Sequence, residues 1–129
     1  MGGYFAQVLL VGCGGFLGSA ARFMLGGWIQ RLFPAAGMPL GTLAVNVLGC
    51  LLIGLLSGTI GAKQSETSPQ VVFLMVGVLG GFTTFSTFSH ETLELIRQAE
   101  LLRAAGNVAL QVVLGLGAAW LGFALARSG

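Results

Sequence analysis

Four long stretches of the chain are almost free of charged side chains, and short polar connections separate them. With His90 taken as neutral, the uncharged stretches cover 1–21, 32–62, 67–90 and 104–126. A transmembrane helix needs about 20 consecutive apolar residues, so each stretch is long enough to cross a bilayer. We therefore predict an all-α membrane protein with one domain, 1–129, and four spans at about 4–25, 40–62, 70–96 and 104–126.

Composition supports this interpretation and excludes an ordinary soluble domain. Charged residues make up 8% of the 129 residues and hydrophobic residues 55%, whereas about 25% of a soluble domain is charged. The net charge of +2 is small, so nothing indicates binding to nucleic acid. No basic residue precedes the first apolar run, and three more spans follow it. We therefore interpret that run as a retained helix and not as a secretory signal.

Pairs of glycines four residues apart occur in three of the four spans. This spacing places two positions without side chains on one face of a helix, where a second helix can approach closely. We therefore predict tight helix–helix contacts at the pairs Gly14-x-x-x-Gly18, Gly54-x-x-x-Gly58 and Gly77-x-x-x-Gly81.

The third span contains a polar stretch, Gly80 to Glu91, that a helix facing only lipid does not need. It reads GGFTTFSTFSHE, so two adjacent glycines precede hydroxyl side chains interleaved with phenylalanines. Each glycine costs a helix about 1 kcal/mol relative to alanine, and threonines add a smaller cost. We therefore predict that the third helix is broken here. In hydrocarbon, non-helical backbone survives only when it is buried in protein or lines a cavity, so the break is the first candidate for a functional site.

Two other spans carry polar pairs one helical turn apart. Thr42 and Asn46 share a face of the second span, and Asn107 and Gln111 share a face of the fourth. Polar groups are costly in a bilayer and face a partner or a cavity. Each pair therefore either joins two helices by hydrogen bonds or lines a polar pathway, and the sequence leaves both alternatives open.

A pathway at the break requires more than one copy of the chain, because four short helices enclose little space. Two copies inserted in opposite directions would form the inverted repeat that larger transporters carry within one chain. The freed carbonyl oxygens of both breaks would then meet, in a geometry suited to a bare Na⁺.

The phenylalanines and hydroxyls of the same stretch suit a small anion. An aromatic ring has a positive edge, so Phe85 and Phe88 presented edge-on could hold an anion without a fixed positive charge. The hydroxyls of Ser86 and Thr87 and the amide of Asn46 could replace part of its hydration shell. The alternative is that both rings only pack against lipid and neighbouring helices.

Three segments of the chain carry a resemblance to a known family. Residues 80–91, the segment GTLAVN ending at Asn46, and the segment GSAAR ending at Arg22 resemble the Fluc (CrcB) family of fluoride ion channels. The similarity extends over essentially the whole chain. It implies an antiparallel, dual-topology homodimer in a bacterial plasma or inner membrane, with a structural Na⁺ at its centre. It also implies passive export of fluoride from the cytoplasm, which reduces fluoride toxicity.

The same resemblance implies roles for individual residues. The carbonyls of Gly80 and Thr83 in both chains would bind the Na⁺, and Arg22 would match a structural arginine at the end of span one. His90 and the polar residues of the fourth span depart from the family's usual pattern. The candidates for the fluoride pathway are Asn46, Phe85, Phe88, Ser86, Thr87, Thr42, Glu91, Asn107 and Gln111.

Two other functions compete with a channel. A proton-coupled small multidrug-type antiporter also has four short spans, but it needs a titratable group within the membrane. The first span has none before Arg22, and the carboxylates nearest to a span, Glu91 and Glu94, lie at the end of the third. A non-transporting assembly subunit would leave the polar stretch without a purpose.

Basic residues give only a weak signal for orientation in the membrane. Cytoplasmic connections normally carry the excess of lysine and arginine. Two basic residues lie on one side of the membrane and four on the other, and this small difference fits a chain that inserts in both directions. Lys63 and Arg127 lie on one side, and Arg22, Arg31, Arg97 and Arg103 lie on the other.

Overall fold

The computed structural model describes residues 2–60 and 67–128, and every regular element within them is a helix. The elements are α1 (Gly2–Leu32), α2 (Leu40–Ile60), α3 (Pro69–Val71), a π-helical stretch (Val72–Leu79), α4 (Gly80–Phe82), α5 (Phe85–Arg97) and α6 (Leu101–Ser128). Four segments are long and apolar enough to cross a membrane, which confirms the prediction of four spans: Gly2–Leu32, Leu40–Ile60, Pro69–Arg97 and Leu101–Ser128. Lys63 and the rest of 61–66 lie outside the described residues.

Helix α1 is longer than the membrane span predicted at about 4–25. It extends to Leu32, and Arg22 lies within it and donates a hydrogen bond to the main chain of another element. The helix ends just before Pro34, which cannot continue it. Gly37, with φ of 66°, then provides a left-handed position in the connection to α2.

Two glycine pairs bring α1 and the third span together at close range. A Cβ atom on Gly14 would lie 2.9 Å from the Cα atom of Gly77, and one on Gly81 would lie 2.8 Å from the carbonyl oxygen of Gly15. Carbon atoms in ordinary contact are about 3.5–4.0 Å apart, so this crossing requires glycine. The close contacts predicted for these two pairs are confirmed, and Gly14 of one pair lies directly against Gly77 of the other.

The third glycine pair forms the contact between α2 and α6. A Cβ atom on Gly54 would lie 3.0 Å from the nitrogen of Phe123, and one on Gly58 would lie 2.8 Å from the carbonyl oxygen of the same residue. From the other helix, a Cβ atom on Gly122 would lie 2.8 Å from the nitrogen of Leu55. The prediction for this pair is also confirmed, and α2 and α6 pack main chain against main chain.

The outer surface of the single chain is strongly apolar. Large side chains such as Phe23 and Leu102 are 83% and 88% exposed, whereas Val45 and Asn107 are fully buried. Soluble monomers rarely expose contiguous apolar surface on this scale. The surface is therefore suited to contact with lipid and with other protein chains.

Candidate functional site

The main chain of the third span changes conformation at two threonines. Thr83 (φ −88°, ψ 157°) and Thr84 (φ −151°, ψ 117°) are extended, and they lie between the end of α4 and the start of α5. We call this pair the Thr83–Thr84 bend. The two glycines before the bend are helical. Gly80 has φ of −62° and ψ of −39°, and the N–H of Gly80 donates to the carbonyls of Gly77 and of Met75, three and five residues back. The extended residues are thus the threonines, to which the sequence argument gave the smaller cost, and not the glycines.

Side-chain oxygens explain why the helix does not continue through the bend. The N–H of Thr84 donates to Oδ1 of Asn46 (2.9 Å) and not to the carbonyl of Gly80. The N–H of Thr87 donates to Oγ1 of Thr84 (3.2 Å), which caps α5, and not to the carbonyl of Thr83. The carbonyls of Gly80 and Thr83 therefore lose the donors that a continuous helix would supply.

Asn46 holds the bend from the side of α2. Its Nδ2 donates to the carbonyl of Thr84 (3.1 Å) while its Oδ1 accepts from the N–H of the same residue. Nδ2 also donates to Oε1 of Gln111 on α6 (3.1 Å). Two hydrogen bonds, each with a net contribution to stability of about 0.5–1.5 kcal/mol, therefore fix the bend to α2, and a third links Asn46 to α6.

Helix α1 holds the other side of the bend. Arg22 donates through Nε to the carbonyl of Gly81 (3.0 Å), and the hydroxyl of Ser19 lies 3.5 Å from the same oxygen. This contact joins Arg22 to the main chain of the third span, and the structural role that the resemblance implies for it stays a prediction. Ser19 was not among the predicted site residues, although it lies in the segment GSAAR that carries part of the resemblance.

Phe85 and Phe88 form a perpendicular pair beside the bend. Their ring centroids are 5.5 Å apart and the ring planes meet at 69°, an edge-to-face arrangement. Phe85 is 78% exposed in the single chain. Both rings line a cavity of about 340 Å³, whose wall also contains the candidates Asn46, Gly80, Thr83 and Gln111 together with Cys50. The structure thus brings six of the sequence-derived candidates to one cavity.

A second, larger cavity is lined by residues of α1, α2 and α5. It measures about 780 Å³ and its wall contains Arg22 and Arg31 as well as Thr42 and Glu91. The hydroxyl of Thr42 donates to Oε1 of Glu91 (2.7 Å), so it joins α2 to α5 by a hydrogen bond while it also lines a cavity, and both alternatives left open for Thr42 remain compatible with the structure. Two arginines in one concave surface raise the local concentration of anions.

Asn107 and the hydroxyls of α5 form a separate chain of hydrogen bonds. Asn107 is fully buried and donates to the hydroxyl of Thr92 (2.9 Å), which donates to the carbonyl of Phe88 (2.8 Å). The hydroxyls of Ser86 and Thr87 lie 3.3 Å and 3.1 Å from Oγ1 of Thr84. Ser86 and Asn107 are not in the wall of either cavity, so the structure does not place them with the candidates that line the cavities.

Three polar side-chain atoms are shielded from solvent without a hydrogen-bond partner among the described residues. They are Oε2 of Glu91, Oδ1 of Asn107 and Nε2 of Gln111. An unsatisfied buried polar group costs about 1–3 kcal/mol, so each such atom calls for a ligand, a water or a second chain. Two of the three belong to residues that line a cavity, Glu91 and Gln111.

The chain is similar to known proteins over nearly its whole length. The family described as CrcB-like protein, Camphor Resistance (CrcB), matches residues 9–123. A protein of Methylobacillus flagellatus named fluoride-specific ion channel FluC is 46% identical over 122 residues, which are 94% of this chain and 94% of that protein. Proteins of the same name from Geotalea daltonii and Rhizobium meliloti are 45% and 43% identical, and the matches cover 93% and 95% of this chain and 96% and 97% of those proteins.

Proposed function

The chain belongs to the CrcB family, and on that basis we propose that it is a fluoride channel. It is a multi-pass membrane protein that conducts fluoride passively out of the cytoplasm and so reduces fluoride toxicity. The observation that carries the proposal is the cavity at the Thr83–Thr84 bend, where two phenylalanine rings and an unsatisfied amide donor of Gln111 come together. Relatives at 43–46% identity are named fluoride-specific ion channels.

The cavity can bind an anion without a fixed positive charge in its wall. Phe85 and Phe88 line the cavity, where an anion would contact the positive edges of their rings, and amide N–H groups would supply hydrogen bonds. Such donors stabilise a small, strongly hydrated anion more than a larger one, because its lost hydration requires closer contacts. Selectivity for fluoride over chloride follows from a narrow path with several donors. Permanent cations, Arg22 and Arg31, lie in the other cavity, where they attract anions from solution.

The proposal includes a broken third span and an antiparallel homodimer. Extended backbone at membrane depth must be buried in protein or line a cavity, and Phe85 beside the bend is 78% exposed in one chain. A second copy in the opposite orientation would cover this surface and create an inverted repeat about the two bends. The weak charge bias of the sequence supports insertion in both directions.

A cation between the two bends would bind main-chain carbonyl oxygens that have lost their helical hydrogen-bond donors. The helical donors for the carbonyls of Gly80 and Thr83 are diverted to Asn46 and Thr84. Within residues 2–60 and 67–128 no group of three or more His, Cys, Asp or Glu could hold a metal. Neutral carbonyl oxygens on unwound backbone suit Na⁺. When bound, Na⁺ would supply a positive charge that joins the bends of both chains.

Fluoride efflux from proteoliposomes tests the proposed function. Vesicles containing the purified protein and loaded with fluoride are followed with a fluoride electrode, with and without a proton gradient, and protein-free vesicles are the control. We expect rapid efflux at the same rate under both conditions. Efflux that requires the gradient would indicate a proton-coupled antiporter, and vesicles no faster than the control would indicate a protein that does not transport fluoride.

Removal of Na⁺ tests the proposed cation separately. When Na⁺ is replaced by N-methyl-D-glucamine, which is too large for a carbonyl cage, the purified dimer should dissociate at a higher protein concentration. Light scattering after size exclusion measures the mass of the protein without its detergent. A dimer that persists equally well in both buffers would refute the Na⁺ assignment and leave the channel proposal standing.

A further inference from the structure

The first half of the third span is wound as a π-helix over Val72–Leu79. In a π-helix each N–H donates five residues back, as the N–H of Gly80 does to the carbonyl of Met75. Such helices are rare and are mostly single turns within α-helices, but this stretch has eight residues. A proline or an inserted polar side chain can disturb an α-helical ladder, but the sequence VFLMVGVL contains neither. The cause of the wide turns therefore lies in the surroundings of the stretch.

Helix α1 is the element that packs against the wide turns. A Cβ atom on Gly14 would lie 2.7 Å from the carbonyl oxygen of Phe73 and 2.9 Å from the nitrogen of Val78, which the π-helical pattern pairs with each other. A Cβ atom on Gly18 would meet the carbonyl oxygen of Val78 and, at 2.8 Å, the nitrogen of Phe82. Each glycine thus lies against one main-chain turn of the third span. The two groups at Gly14 are five residues apart, and the two groups at Gly18 are four residues apart.

The spacing of these contacts differs between the two helices. Gly14 and Gly18 are four residues apart, about one turn of an α-helix, whereas the carbonyls that face them, those of Phe73 and Val78, are five residues apart. An α-helix has 3.6 residues per turn and would bring the carbonyl four residues on to the second glycine. The third span therefore takes up one more residue between the two contacts than an α-helix would. In an α-helix, a change of one residue rotates everything beyond it by about 100°.

This extra residue determines which main-chain groups reach the Thr83–Thr84 bend. Arg22 of α1 binds the carbonyl of Gly81, and Asn46 of α2 binds the N–H of Thr84. If the span had α-helical spacing from its first contact with α1, each of these places would be occupied by the preceding residue. The wide turns thus bring the correct residue to each of the two tethers.

We propose that Gly14 and Gly18 of α1 hold Val72–Leu79 in the π-helical register, and that this register places the N–H of Thr84 against Asn46. The two glycines are positioning residues that act through the third span, since neither lines a cavity of the site. The consequence for conduction rests on the proposed function. The same register sets the direction in which the two phenylalanines after the bend point.

Deletion of Val76 tests the register, because it leaves Phe73 and Val78 four residues apart. An α-helix can then join the same contacts, and the deleted side chain is 56% exposed. We expect this variant to form the dimer and to conduct fluoride at a rate of the same order as the unmodified protein. The matched control is deletion of Val113, which is 67% exposed within the regular helix α6. That deletion turns the two halves of α6 by about 100° relative to each other, and we expect efflux to fall to the level of protein-free vesicles.

A second measurement observes the hydrogen bond itself. The protein is labelled with ¹⁵N in glycine and ¹³C in the methionine carbonyl, and NMR couplings across hydrogen bonds are recorded in detergent. We expect a coupling between the nitrogen of Gly80 and the carbonyl carbon of Met75, and its loss in Gly14→Ala, whose methyl group would collide with main-chain atoms. Gly12→Ala, whose Cβ atom would meet nothing within 4 Å in the described chain, should keep the coupling. In samples with ¹⁵N-asparagine, the Nδ2 signal of Asn46 should shift in the first variant and not in the second.

Every result of these experiments bears on the register. The inference is wrong if the unmodified protein lacks the coupling, or if Gly14→Ala leaves both the coupling and the Asn46 signal unchanged. It is also wrong if deletion of Val76 abolishes folding or efflux as deletion of Val113 does, and in each of these cases the channel proposal stands. Equal tolerance of both deletions would overturn it too, because any span would then absorb the loss of a residue. If the unmodified protein does not conduct fluoride, the proposed function fails, and the coupling and the dimer mass after each deletion still decide the register.

Discussion

The substitutions Gly122→Ala and Gly117→Ala place the same methyl group on α6 in opposite surroundings. A Cβ atom at Gly122 would lie 2.8 Å from the nitrogen of Leu55 and 3.2 Å from the carbonyl carbon of Gly54, both main-chain atoms of α2. A Cβ atom at Gly117 would meet nothing within 4 Å in the described chain, and the same is true at Gly106. Only the first substitution therefore forces α2 and α6 apart.

The difference in stability can be worked out from these distances. An ordinary contact begins at about 3.5 Å, so the helices must separate by at least roughly 0.7 Å at Gly122, where the carbonyl oxygen of Leu51 lies closer still. Overpacking of this kind costs about 1–3 kcal/mol. Replacement of glycine by alanine in a helix contributes about 0.8–1.0 kcal/mol of stability at any interior position, and this contribution cancels when Gly122→Ala is compared with Gly117→Ala. We therefore expect Gly122→Ala to be about 1–3 kcal/mol less stable than Gly117→Ala.

Unfolding in mixed detergent micelles with increasing dodecyl sulfate, followed by circular dichroism, measures this difference. The expected gap corresponds to roughly a five- to 150-fold change in the unfolding equilibrium, since 1.4 kcal/mol is a factor of about ten. Gly106→Ala is a second control, in case either exposed position contacts a partner chain. If Gly122→Ala unfolds at the same detergent fraction as both controls, the close α2–α6 contact is refuted.

Three further predictions concern the site. Phe85→Ile and Phe88→Ile should each lower fluoride efflux about tenfold while the dimer stays intact on size exclusion. Each substitution removes ring edges, and an aromatic interaction is worth about 0.5–1.5 kcal/mol. Efflux at the unmodified rate would mean that the rings only pack. Asn46→Ala removes three hydrogen bonds of about 0.5–1.5 kcal/mol each and should abolish efflux and destabilise the fold; normal efflux would show that the bend does not depend on it. Arg22→Gln removes the charged donor to the carbonyl of Gly81 and should lower the free energy of unfolding by about 1.5–3 kcal/mol in the same detergent assay. An unchanged unfolding midpoint would show that this hydrogen bond does not stabilise the fold.

Much of the fold follows from local properties of the chain. The number of spans depends on the free energy of transferring each stretch into hydrocarbon, which is a sum over neighbouring residues. A glycine pair also predicts a close helix–helix contact from the local sequence alone, since a face without side chains permits close approach by any helix. For these reasons the four spans and the three close-packing pairs could be predicted from the sequence.

The partners in the site could not be predicted in the same way. Asn46 lies 38 residues from Thr84 and 65 from Gln111, and Arg22 lies 59 from Gly81. The sequence showed that each of these residues is polar within an apolar span, but each had several possible partners. Only the packing of α1, α2 and α6 around the third span selects one.

The conformation of the third span shows how local and tertiary effects divide. By itself, the sequence determined that residues 80–91 contain a weak point for a helix, because glycine and threonine both have low helix propensity. Propensities of about 1 kcal/mol do not decide which residue leaves the helix. The tertiary structure decided that, because Oδ1 of Asn46, brought in by α2, takes the N–H of Thr84. A buried N–H must have one acceptor, and the acceptor that is present determines where the helix bends.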